Sequence, residues 1–254
     1  KNLFTRQGAG ELITLYSAFD ENDEARYIAE RAHEIIEQGT DPREIAILYR
    51  ANFQSRALEE AMLNKDLKYQ VLGTKFFERK EVKDVLSFIR AALNRDSLSD
   101  LQRIINVPAR GIGKVTIAKI FSGMTADLSR AHAEKWNSFK AMLDDIEKKT
   151  GSEKPSELVK YVVQRTGLEQ SFKESGLEED LERLENVREL ATLATKYDFM
   201  MPGDGIAKLL EDAALASDQD EMEEDAPALR MMTVHASKGL EFQYVFITDR
   251  KSVV

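Results

Sequence analysis

The chain has 254 residues, with 43% hydrophobic and 32% charged side chains, enough for one large domain or two modest ones with a packed core. Cysteine is absent, which excludes disulfides, thiolate metal sites and cysteine nucleophiles, and the three histidines (His33, His132, His235) lie at no metal-ligand spacing. No apolar run approaches a membrane span and the first residues carry no secretory signal, so the sequence points to a cytoplasmic protein without a membrane partner.

The first ninety residues alternate between two periods. Leu12-Ile13-Thr14-Leu15-Tyr16 is β-branched and aromatic and reads as a strand. From Asp20 to Gln38, apolar residues at Ala25, Ile28, Ala29, Ala32, Ile35 and Ile36 form a helical stripe, with Asp20 or Asn22 as cap and Gly39 as stop. Ile45-Ala46-Ile47-Leu48-Tyr49 is a continuous apolar run, as in a strand buried on both faces. A helix follows over 55–64, then a strand over 69–72 and a helix over 81–93. This alternation predicts βαβ units and a parallel sheet.

Beyond Asn94 the strand signals vanish for about 130 residues. Helices are predicted at 98–105, 114–122, 131–148, 155–165, 177–196 and 205–216, separated by glycines and by Pro202-Gly203. Ser217 to Asp225 then reads as a solvated acidic linker closed by Pro227. Six of the chain's negative charges fall within 218–225; without them the net charge of −9 becomes −3. A near-neutral body can carry a local basic groove. Strand character returns at 228–234 and 244–247. The expected fold is therefore an α/β domain over 1–93 and 227–254, interrupted by an all-α domain over 94–226.

The polar turn after the 228–234 strand holds a histidine, a lysine and a glutamate, where ligands of parallel sheets bind. Read from spacing alone, it is as readily an ordinary strand–loop–strand corner. Gly111-Ile112-Gly113-Lys114 is not a phosphate-binding P-loop, because the four-residue spacer, the Lys-Ser/Thr pair and a preceding buried strand are missing. A helix–turn–helix hairpin fits better, and its amides could hold a phosphate at a helix N-terminus.

Several stretches resemble a known family. Thr233-Val234-His235-Ala236-Ser237-Lys238-Gly239-Leu240-Glu241-Phe242 resembles motif V of superfamily 1 DNA helicases of the UvrD/PcrA/Rep group. Tyr49-Arg50-Ala51-Asn52-Phe53-Gln54-Ser55-Arg56 resembles motif IV, and Phe76-Phe77-Glu78-Arg79-Lys80-Glu81-Val82-Lys83-Asp84 resembles motif IVa. Lys1-Asn2-Leu3-Phe4-Thr5 and Arg183-Leu184-Glu185-Asn186 are similar to further segments of that family. Leu72-Gly73-Thr74 departs from the Gly-Gly pair usual there.

The resemblance implies a RecA-like, P-loop NTPase-type domain (2A) interrupted by helical domain 2B, as the periodicity also predicts. It implies that Tyr49 stacks on adenine, that Arg50 is catalytic at the γ-phosphate and that Glu241 meets the ribose. It places Thr233, His235 and Lys238, with Lys75, Phe76 and Arg79, on single-stranded DNA, and Gly111, Gly113, Lys114 and Thr116 on duplex. Read alone, Tyr49 is as well a core tyrosine, and Phe76 an anchor for the next helix. No Walker A loop, acidic magnesium motif or motif VI is found, and Thr248-Asp249-Arg250-Lys251-Ser252 departs from the continuation expected after motif V. The sequence therefore reads as a truncated C-terminal half, inactive alone. Its parent would be an ATP- and Mg²⁺-dependent 3′-to-5′ helicase or translocase of DNA repair or replication. Its partners would be DNA (single strands and single/double-strand junctions), the missing N-terminal RecA-like domain and repair proteins. The competing readings are a non-enzymatic DNA- or protein-interaction module, and the helicase portion of a recombination helicase–nuclease.

Overall fold

The computed structural model describes residues 11–218 and 227–248, with no side-chain description for 217 and 218. The opening motif at 1–5, most of the acidic linker and the 249–254 tail lie outside the described residues. The first helix, α1, spans Glu21–Glu37. Asp20 caps it, its carboxylate accepting from the amides of Asn22 (3.0 Å) and Asp23 (2.8 Å). Its buried stripe is Ala25, Ile28, Ala29, Ala32 and Ile35, as the periodicity predicts.

Four strands form one sheet: β1 (Ile45–Tyr49), β2 (Tyr69–Val71), β3 (Leu229–Thr233) and β4 (Tyr244–Ile247). All pairs are parallel and the order is β2-β3-β1-β4. Tyr49 is in register with Thr233, Leu48 with Ile247 and Val71 with Met231, so the four carboxyl ends share one edge. Strands from the two ends of the chain thus build a single sheet. With α1 and α2 (Ser55–Asn64) they enclose one core that includes Ile28, Ile45, Ile47, Tyr49, Leu58, Met62, Leu229 and Met231.

Between β2 and β3 the described residues are helical: α3 (Lys80–Leu93), α4 (Leu98–Ile104), α5 (Lys114–Phe121), α6 (Arg130–Thr150), α7 (Pro155–Thr166), α8 (Leu168–Ser175), α9 (Glu178–Ala194) and α10 (Pro202–Asp218). They share a second core around Phe88, Ile104, Phe139, Ile146, Leu158, Val162, Leu190 and Leu209. This core begins at Phe76, so α3 packs with the later helices. Helix α8 is not among those expected from the sequence, because Gly167 ends α7 in a left-handed turn and α8 begins one residue later. The last helix, expected to stop at Ala216, continues to Asp218.

The strand expected at 12–16 is corrected. Residues 11–18 have no regular structure, and Ile13 is 98% exposed. Strand composition is only a capacity to pair, and the segment has no ladder partner among the described residues. Its visible packing is the ring of Tyr16, stacked on Tyr27 with centroids 3.8 Å apart.

Candidate functional site

Arg50 follows β1 directly and is exposed at the carboxyl edge of the sheet. Gln54, buried in the single turn Asn52–Gln54, fixes its backbone. The Gln54 side-chain carbonyl accepts from the amides of Arg50 (2.9 Å) and Ala51 (2.8 Å). Two of the amides leaving the strand are thereby satisfied by one buried side chain. Among the described residues, the Arg50 guanidinium has no ion-pair or hydrogen-bond partner.

The neighbouring strand supplies the second loop. The Val234 amide donates to the Tyr49 carbonyl (2.9 Å) as β3 ends. Thr233 then nucleates a tight turn. Its hydroxyl accepts from the Ala236 amide (3.2 Å) and its carbonyl from the Ser237 amide (3.1 Å). The Ser237 hydroxyl donates to the Val234 carbonyl (2.9 Å). His235, Lys238 and Glu241 are exposed on this turn and its exit. Adjacent strand ends therefore bring Arg50 and the 233–241 loop to one rim, an arrangement with cationic side chains over a carboxyl edge that suits an anionic ligand.

Tyr49 does not offer its ring to that rim. It is 1% exposed and packs in the sheet core. Burial pushes its phenol up, with the nearby Glu59 carboxylate adding to the effect. The ring is thus placed where the core reading of Tyr49 expects it.

Phe76 and Arg79 of the motif IVa segment are also interior. Phe76 belongs to the helical core and meets Phe77 edge-on, centroids 5.3 Å apart. Arg79 is 5% exposed, and its guanidinium donates to the Ser55 hydroxyl (2.7 Å), the Asn186 side-chain carbonyl (2.9 Å) and the Thr74 carbonyl (3.3 Å). Asn186 passes the chain on, donating to Glu81 (2.6 Å). Burial lowers the Arg79 pKa, and Glu59 is the main charge opposing that shift. In this structure Phe76 and Arg79 thus serve as packing and bonding groups, with three of the five guanidinium N–H groups bonded. Lys75 remains partly exposed, 5.5 Å from the Tyr69 ring centroid.

The Gly111 hairpin joins α4 to α5. The Asn106 side-chain carbonyl accepts from the amides of Arg110 (2.7 Å) and Ile112 (3.3 Å). Arg110 turns inward, donating to the carbonyls of Ile104, Val107, Pro108 and Thr166, and burial brings its pKa down to about 10. Gly111 has φ +66°, and a β-carbon there would stand 2.5 Å from Lys135 Nζ. Gly113 caps α5 with no side-chain hydrogen bond, and both it and Lys114 are exposed. Thr116 is 5% exposed, on the buried side of α5.

Sequence reasoning meets Gln54, Ser55 and Asn186 only as motif letters, and misses Asn106 altogether. A polar residue at a buried position of a helical or strand-end pattern is the signal that could have singled them out. Among the described residues there is no cluster of three or more His, Asp or Glu able to hold a metal, and no helix long and apolar enough to cross a membrane.

A parallel α/β sheet with Arg50, Lys238 and Glu241 at its carboxyl rim has the architecture in which ligands bind at the strand ends. The chain belongs to the UvrD-like helicase C-terminal domain family, whose model matches residues 1–252. It is 34% identical over 265 residues to "ATP-dependent DNA helicase PcrA" of Staphylococcus epidermidis, covering 97% of this chain and 36% of that protein. It is 32% identical over 268 residues to "DNA helicase II" of Escherichia coli K12, covering 97% of this chain and 37% of that protein. The chain thus spans just over a third of the length of these relatives, and corresponds to their C-terminal part.

Proposed function

We propose that the chain supplies one face of the ATP cleft of a DNA helicase or translocase. The observation that carries this reading is exposed Arg50, its backbone held by Gln54, beside the Thr233–Glu241 loop of the adjacent strand. A planar guanidinium there can spread over the terminal phosphate and stabilise the charge of phosphoryl transfer. Glu241 can accept from a ribose hydroxyl, and His235 and Lys238 can face a strand's phosphates. Magnesium accompanies ATP in such chemistry and bridges its phosphates.

In this reading, residues 1–93 and 227–254 form the RecA-like domain 2A, and 94–226 the inserted all-α domain 2B. The first amides of α5 at Gly113, with Lys114, hold a duplex phosphate, and Lys75 borders the single strand. The polarity is 3′-to-5′, the setting is DNA repair or replication, and the chain alone turns over no ATP. The names of the relatives and the family match support the helicase class. The test is DNA-stimulated ATP hydrolysis by the full-length protein that carries this chain. Arg50→Ala should lower kcat on the order of a thousandfold, as expected for an arginine finger. Unchanged turnover would overturn the assignment.

A further inference from the structure

The sheet side and the helical body meet along one face of α9. Glu182, Asn186 and Glu189 are spaced four and three residues apart and so share that face. Asn52 Nδ2 donates to Glu182 (3.2 Å), Arg79 donates to Asn186 (2.9 Å), and Arg56 Nε bonds the Glu189 carboxylate. These partners bracket Gln54. Asn52 lies two residues before it and Arg56 two after, while Arg79 returns to Ser55 beside it (2.7 Å). Asn186 and Glu189 are buried, as are Ser55, Arg56 and Arg79.

Burying this many polar groups gives little net stability over an apolar interface of equal size. What a fully bonded polar cluster does supply is a single permitted geometry. Here that geometry is imposed on the turn whose buried glutamine holds the Arg50 backbone.

We propose that Asn186 and Glu189 of α9, acting through Arg79 and Arg56, are positioning residues for Arg50, locking the Asn52–Arg56 turn so that Gln54 presents the arginine at the sheet rim. This rests on the reading of Arg50 as a phosphate-contacting group, and extends it by making the helical body part of the nucleotide site. Asn186→Ala removes the acceptor for Arg79 and the donor to Glu81. Glu189→Arg sets two cations together, whereas Glu189→Gln keeps an acceptor for the Arg56 Nε–H, whose guanidinium also pairs with Glu60 at 3.2 Å and lies 4.0 Å from Glu21.

The experiment measures DNA-stimulated ATP turnover by the full-length protein, with kcat expressed per folded molecule. Asn186→Ala and Glu189→Arg should each lower kcat about tenfold or more, since small misplacements of a catalytic group are costly. KM for ATP should stay within about threefold, because ground-state binding is retained. Glu189→Gln, which keeps the acceptor for Arg56, should retain a large part of the wild-type kcat. Asn52→Ala, which disturbs only an exposed contact, should fold normally and still lower kcat about twofold. Wild-type kcat in folded Asn186→Ala and Asn52→Ala, or a Glu189→Gln kcat as low as that of Glu189→Arg, would overturn the proposal. Wild-type turnover that is absent, or indifferent to Arg50→Ala, would instead remove the reading of Arg50 on which the proposal rests.

Discussion

Arg79 donates to Asn186 at 2.9 Å across 107 residues of sequence, tying the segment after β2 to the middle of α9. The bond lies at the junction of the two cores and is shielded from solvent. Removing the arginine leaves the buried Glu59 and Asn186 without their cationic neighbour. Arg79→Ala should therefore destabilise the fold by about 3–5 kcal/mol, the cost of breaking a buried charged network from one side. Urea denaturation would show this as a lowered midpoint. A change under about 0.5 kcal/mol, the usual effect of a surface substitution, would return Arg79 to the surface.

Glu59 gives the same junction a pH dependence. Burial pushes its carboxyl above the ordinary value of 4.5, against the pull of the Ser55 hydroxyl and of Arg79. Within the window from 4.5 up to that raised value, the folded state holds a proton that the unfolded chain has released, so stability falls as pH rises. Glu59→Gln removes this titration. The wild-type protein should gain stability relative to the variant as pH falls from about 7 towards the ordinary carboxylate value. Denaturant midpoints at several pH values measure the difference, and a constant difference, or one of opposite slope, contradicts the burial of Glu59.

The hairpin glycines should separate cleanly. Gly111→Ala forces a side chain into a left-handed conformation and against Lys135, at a cost of at least about 1 kcal/mol. Gly113 has φ −79°, and a β-carbon placed there would meet no atom within 4 Å. Gly113→Asp should therefore fold as well as the wild type, its carboxylate capping α5. The same carboxylate repels a phosphate, so duplex affinity measured by fluorescence anisotropy should fall with stability intact. Duplex binding unaffected by Gly113→Asp would remove the hairpin from the DNA surface.

The exposed segment at 11–18 offers a plain check. Ile13→Ser should change the stability of this chain by no more than about 0.5 kcal/mol, since Ile13 buries nothing here. A loss of about 1 kcal/mol or more in thermal denaturation would mean that the segment pairs or packs.

The periodicity of the sequence made the α1 stripe, the buried β1 and the helical run legible, because each is decided by local spacing of apolar residues. It could not place 12–16, since whether a β-branched run finds a ladder partner is a tertiary question. The rim positions of Arg50, Lys238 and Glu241 were legible because polar groups that follow a strand stay exposed. The burial of Phe76, Arg79 and Thr116 was not. An aromatic and basic mixture suits a groove and a buried cation network equally, and only long-range partners such as Asn186 separate the two.

The central claim is that this chain is one side of a two-sided nucleotide site. The most direct measurement is magnesium-dependent ATP turnover by the 254-residue chain alone, compared with Arg50→Ala. The account predicts no turnover above background in either protein. Sustained hydrolysis that disappears on Arg50→Ala would contradict it, for the chain would then hold a complete site.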